Sequence, residues 1–250
     1  MARNVSDEIK WLLEPGHEAF EQRPATFREF IGPEYLNIEK YLRKRILHEL
    51  EVILGDQIDV NRIARYSEAL ITGGIGIGKT TIASVLLPYM VHWVLCLKDP
   101  QDYFGLLPGS RIAFMQMSTS EQQAKEVVFG DLKARIEHSP WFRNQYPYDK
   151  SFKNQLRFPQ KDIWILPGDS RETTFEGYNI LGGVLDEGDS HLVTAKRDYA
   201  EQGYTTISSR ITSRFQNRGF LLIIGQRKSS NGFMERMYRK FLARPDAYAV

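Results

Sequence analysis

Gly73-Gly74-Ile75-Gly76-Ile77-Gly78-Lys79-Thr80 fits G-x-x-x-x-G-K-[ST], a loop whose backbone N–H groups turn inward around a polyphosphate. Such wrapping needs residues that tolerate positive φ and carry no bulk. Lys79 then reaches the β- and γ-phosphates, and the Thr80 hydroxyl sits on Mg²⁺. A helix beginning near Gly78 points its positive dipole end at the same anion. Gly73, Gly74, Ile75, Gly76, Ile77, Gly78, Lys79, Thr80 and Thr81 are therefore the expected nucleotide-binding residues. The flanks agree with a P-loop rather than a chance glycine-rich turn. Glu68-Ala69-Leu70-Ile71-Thr72 reads as a short buried strand entering the loop, and Thr81 to Leu87 as a helix leaving it.

A P-loop alone binds nucleotide. Hydrolysis also needs a carboxylate to organise Mg²⁺ and a group to orient and deprotonate water. Val184-Leu185-Asp186-Glu187 offers both at the carboxyl end of a predicted strand, the sheet edge where ligands bind in parallel α/β folds. Asp186 is assigned to the metal with Thr80, and Glu187 to the water. The strand Phe220 to Ile224 ends in Gly225-Gln226-Arg227-Lys228, which puts Gln226 between the acidic pair and the γ-phosphate as a sensor. The P-loop contains no arginine, so the positive charge that stabilises a transferring phosphoryl group must come from elsewhere in the chain or from a neighbouring subunit. Arg210 and Arg214, four apart on one helix face, are the first candidates, with Arg135 and Arg143 behind them.

The chain has 250 residues, 42% apolar and 26% charged. That is an ordinary globular composition, long enough for one large α/β domain with a smaller appendage. A formal charge of +2 does not by itself argue for nucleic acid. Residues 190–240 carry ten lysines and arginines against three acidic residues, so any polyanion footprint belongs there. The lone Cys96 permits no intrachain disulfide, which fits a reducing compartment. The N-terminus lacks a signal-peptide core. The apolar run Ile82 to Leu97 is shorter than the ~20 residues that cross a bilayer, which predicts a buried helix and no membrane.

Residues 1–55 are expected to form an N-terminal helical arm or lid, and residues 56–250 the core. Tyr35 to Leu54 has helical apolar spacing closed by Gly55, and Asp59 to Arg65 reads as a short helix. Arg62, Arg65 or Tyr66 are placed either to flank an adenine base or to serve as surface charges and a packed ring. Arg111 to Met117 reads as a strand, with Ser118 and Glu121 at capping-box spacing for a helix running to His138. Gln155 to Phe158 and Asp162 to Leu166 read as a hairpin, Ile180 to Leu185 as a strand, Tyr199 to Phe215 and Phe233 to Leu242 as helices. Strands alternating with helices predict a mostly parallel sheet flanked by helices.

Together these segments resemble the ATPase portion of the large terminase subunit, the DNA-packaging motor of tailed bacteriophages. The resemblance is carried by Gly73 to Thr81, by Met117 to Lys125 with Ser139-Pro140-Trp141-Phe142, by Gly177 to Glu187, and by Gly225 to Phe233. It implies an additional-strand catalytic-glutamate P-loop fold, ATP and Mg²⁺ as ligands, and ATP-driven translocation of double-stranded DNA. It further implies a homo-oligomeric ring of five subunits docked on a portal protein, a small terminase subunit as partner, and the host bacterial cytoplasm as location. Lys79 and Thr80 match the Walker A positions, Asp186 and Glu187 match Walker B, and Gly225-Gln226-Arg227 falls at the coupling motif. Many such ATPases carry an arginine within Walker A and a Ser/Thr-rich coupling motif, and this sequence departs from both. A full large terminase continues into an RNase H-like nuclease, absent before Val250, so no DNA cleavage is expected from this chain. A helicase-like ATPase and a nucleotide-gated scaffold with incidental turnover remain open. A small-molecule kinase fits less well, because Glu187 beside Asp186 suits water activation.

Overall fold

A computed structural model of the chain describes residues 5–119, 129–169, 177–194 and 198–250. In order, the elements are α1 (Val5–Leu13), α2 (Phe27–Phe30), α3 (Lys44–Leu54), β1 (Glu68–Thr72), α4 (Lys79–Leu95), α5 (Pro100–Tyr103) and β2 (Ile112–Ser118). They continue with α6 (Phe129–His138), α7 (Pro140–Gln145), β3 (Leu156–Phe158), β4 (Ile163–Asp169), β5 (Asn179–Leu185), α8 (Tyr199–Phe215), β6 (Phe220–Gly225), α9 (Phe233–Leu242) and β7 (Ala247–Ala249).

The described strands form one sheet in the order β3-β4-β2-β5-β6-β1-β7. Every neighbouring pair is parallel except the β3–β4 hairpin. β6 therefore lies between the P-loop strand and the acidic strand, which is the additional strand of the catalytic-glutamate class. Register sets the heights: Thr72 is level with Gly225 and Leu185 with Ile223. The segments leaving β1, β5 and β6 all emerge at one edge.

Alternating side chains divide the core into two layers. Ala69, Ile71, Leu222 and Ile224 face a cluster with α3, α4 and α6, whereas Leu70, Leu221 and Ile223 face one built by α8 and α9. α4 is buried along almost its whole length, Ser84 and His92 included, as its largely apolar sequence demands, and no described helix is long and apolar enough to cross a membrane. Trp11, Phe20, Phe27, Phe30 and Leu50 of the N-terminal segment join the α4 cluster, so this arm is packed on the core.

Two local expectations are corrected. The helix expected from Tyr35 forms only as Lys44–Leu54. Asn37 adopts φ 54° and its N–H bonds to the Gly32 carbonyl at 2.8 Å, a local turn that competes with helix. Gly55 still ends α3, at φ 80° with its N–H on the Glu51 carbonyl at 2.8 Å. Asp59 to Arg65 is not helical, because Asp59 accepts bonds from the Asn61 N–H and the Arg62 guanidinium instead. β7 has no clear sequence signal, and pairing with β1 alone creates it. Ser118 closes β2, while Glu121 of the expected capping box and the start of its helix lie outside the described residues.

Candidate nucleotide-binding site

The site is assembled where β1, β5 and β6 end. A cleft of about 450 Å³ is lined by Tyr41, Arg43, Ile46, Ile75, Gly76, Gly78, Lys79, Thr80, Thr81, Asp186, Glu187 and Gln226. That volume is in the range of small-molecule sites. Lys79 is only 9% exposed, and its Nζ donates to the Gly73 carbonyl at 2.8 Å and the Gly74 carbonyl at 2.9 Å. Ile75 is 94% exposed at the loop tip, while Ile77 points down among Ile46, Ile71 and Ile82. Gly78 is required twice over. Its φ is 102°, and a Cβ there would come within 2.5 Å of Ile46 Cδ1.

Asp186 is 5% exposed, with its N–H still bonded to the Met117 carbonyl at 2.8 Å. Burial first, and then the charge of Glu187, push its carboxyl up to about 6, while the Glu187 N–H and Lys79 pull the other way. His191, also buried, donates from Nε2 to the Asp186 carbonyl at 2.9 Å, fixing the turn after β5. Glu187 is half-buried in a left-handed conformation, φ 55° and ψ 45°, and Ser190 Oγ donates to its Oε2 at 3.1 Å. Gln226, half-buried at the tip of β6, faces the cleft between the loop and the acidic pair.

The expected arginines are not brought to this cleft. α8 connects the carboxyl end of β5 to the amino end of β6, so it runs antiparallel to the strands. Arg210 and Arg214 lie in its last two turns, toward the opposite edge of the sheet. Arg135 and Arg143 belong to α6 and α7 and are absent from the cleft lining. Arg62, Arg65 and Tyr66 precede β1 and so sit at its entry rather than its exit. There Arg62 pairs with Asp59 at 2.7 Å and the Arg65 guanidinium lies 5.8 Å from the Tyr66 ring.

The arginine that does line the cleft is Arg43, at the N-cap of α3, whose Nη1 donates to the Gly76 carbonyl at 3.1 Å. Beside it stands Tyr41, 71% exposed, an aromatic ring open to solvent at the rim. Sequence reasoning missed both. Their only local signal is the basic, aromatic run Lys40-Tyr41-Leu42-Arg43-Lys44-Arg45, thirty residues before the loop, whose apolar spacing reads as part of a continuous helix.

Thr80 and Asp186 fit a divalent cation. Both are hard oxygen donors facing one cleft, and a buried carboxylate raised by a neighbouring negative charge is one that a cation would relieve.

A family model for the N-terminal P-loop domain of the uncharacterized protein MJ0330 matches residues 9–250. Uncharacterized protein MJ0330 of Methanocaldococcus jannaschii is 27% identical over 208 residues, 76% of this chain and 35% of that protein. This chain thus spans about a third of the length of that relative. Among solved structures, the large terminase ATPase domain of Thermus phage P74-26 aligns with TM-score 0.53 at 16% identity, over 92% of this chain and 85% of that one. The large terminase of bacteriophage HK97 aligns with TM-score 0.53 at 14% identity, over 74% of this chain and 35% of that one. A large terminase from a thermophilic bacteriophage gives TM-score 0.52 at 12% identity, over 74% of this chain and 40% of that one. At such identities the likeness is one of fold, and the fold is that of large-terminase ATPase domains.

Proposed function

The chain belongs to the family of the MJ0330 N-terminal P-loop domain, and from that membership and the cleft we propose that it is an ATP-hydrolysing motor domain that translocates double-stranded DNA. The observation that carries the reading is the position of β6 between β1 and β5, which turns Lys79, Asp186, Glu187 and Gln226 toward one cleft.

Lys79 exchanges the Gly73 and Gly74 carbonyls for phosphate oxygens, and the glycines let the loop backbone follow. Thr80 and Asp186 would hold Mg²⁺, which would supply Lewis-acid charge for the transfer. Glu187, at the solvent side of the acidic pair, orients the attacking water and takes its proton. Arg43 places a guanidinium over the loop from within the same chain and supplies charge to the transferring phosphoryl group. Tyr41 offers a face for the base, and Gln226 senses the γ-phosphate. DNA, a portal protein, a small subunit and a five-membered ring enter through the terminase likeness, as does a location in the host cytoplasm at the procapsid portal.

Two measurements test this. Lys79→Ala is expected to abolish nucleotide binding in a fluorescent-nucleotide titration, and unchanged affinity would refute the P-loop reading. A motor moving a duplex is expected to displace the third strand of a triplex in an ATP-dependent way. Displacement on a forked duplex alone would favour a helicase, and turnover without either would favour a scaffold.

A further inference from the structure

The turn after the acidic pair is tied to the segment after β6 by a set of contacts that phosphate binding does not require. Glu187 holds a left-handed backbone conformation, which a residue with a Cβ adopts only when its surroundings impose it. Its Oε2 accepts from Ser190 Oγ at 3.1 Å, and Ser190 Oγ in turn accepts from Lys228 Nζ at 2.6 Å. Next to this relay, the Asp189 carboxylate accepts from the backbone N–H groups of Lys228 at 2.8 Å and Met234 at 2.7 Å. Asp189 thereby pins both ends of the loop joining β6 to α9. The fit is close. A Cβ on Gly232 would come within 2.5 Å of Asp189 Oδ2, and one on Gly188 within 2.6 Å of Met234 Sδ.

We propose that Ser190 and Lys228 are positioning residues for Glu187, and that the β6–α9 loop sets the aim of the general base through them. The proposal rests on the reading of Glu187 given above. With Oε2 held by the Ser190 hydroxyl, Oε1 is the oxygen left to accept from water. Lys228 fixes the hydroxyl's direction, because a hydroxyl that accepts from an ammonium has its own proton free to donate onward. Both contacts are exposed, and exposed bonds of this kind are individually weak. The relay is therefore a latch that a shift of the loop releases. A displacement of about 1 Å at a catalytic group is enough to change rate strongly.

The test measures steady-state phosphate release, ATP affinity and thermal stability for Ser190→Ala, Ser190→Thr and Lys228→Met, each also in a Glu187→Gln background. Ser190→Ala and Lys228→Met are expected to lower kcat about tenfold with KM and ATP affinity within about twofold, and with Tm unchanged. Ser190→Thr keeps the hydroxyl and is expected to restore the rate. In the Glu187→Gln background the added loss is expected to vanish, since residues acting through one group are not additive. Wild-type kcat in Ser190→Ala or Lys228→Met, a loss that tracks Tm, or the same loss in the Glu187→Gln background would each overturn the relay alone. Wild-type turnover by Glu187→Gln itself would overturn the general-base reading and the relay with it.

Discussion

Asp186 and Glu187 are adjacent carboxylates in different surroundings, and the difference divides the work proposed for them. Asp186 is buried at the end of β5 and raised to about 6, a setting that favours a cation beside it. Glu187 has turned into a left-handed conformation nearer solvent, where water reaches it. Lys79 and this pair were legible because their chemistry is written in consecutive residues. Arg43 was not. Its contact spans from residue 43 to the Gly76 carbonyl, and α3 reaches the loop through tertiary packing, with Ile46 against Gly78 and among Ile71, Ile77 and Ile82. The proposal above gives the charge that the loop lacks to Arg43 of the same chain. Arg43→Ala is expected to lower kcat about 100-fold, the scale of removing one charge-stabilising donor, while ATP affinity falls less. Arg210→Ala and Arg214→Ala are expected to leave a monomer's turnover unchanged. Wild-type kcat for Arg43→Ala, in phosphate-release assays at low protein concentration, would send the search for the arginine back to a neighbouring subunit.

At the scale of elements, the direction of α8 decides more than its sequence does. Its boundaries were readable from apolar spacing, but the edge of the sheet at which Arg210 and Arg214 lie follows only from the order of strands it joins. The N-terminal arm makes the converse point. A short capping box seats α2, with the Thr26 N–H on Glu29 Oε2 at 2.7 Å and the Arg23 guanidinium paired with Glu29 and Glu8. Burial raises the Glu29 carboxyl, but the Thr26 N–H and Arg23 outweigh it and hold the group below the usual 4.5. The unfolded chain then binds more protons than the folded one between those two values, so this contribution is complete above 4.5 and is lost as pH falls through the folded value. Glu29→Gln is expected to lower Tm at neutral pH and to flatten the acid limb of the Tm profile. An unchanged acid limb would show that Glu29 does not anchor the arm through its charge.

For the whole molecule, strand order is the strongest argument. The P-loop and the acidic pair are separated by about a hundred residues, and they share one sheet edge because a single strand, β6, lies between β1 and β5. Alternation of strands and helices indicated a parallel sheet, but alternation alone does not give strand order, because crossovers permit several. The basic stretch of residues 190–240 looks different once folded. Arg227 and Arg239 pair with Glu235, and Arg236 pairs with Asp198 and Glu201, so part of that charge is balanced by surface carboxylates of the same chain. In the proposal above, the loop and the acidic pair act as one hydrolytic site. Its most direct test is the rate of phosphate release by Glu187→Gln, with ATP affinity measured on the same preparation. The expected result is a fall of at least about 100-fold in kcat with affinity held within about twofold; release at the wild-type rate would contradict the claim.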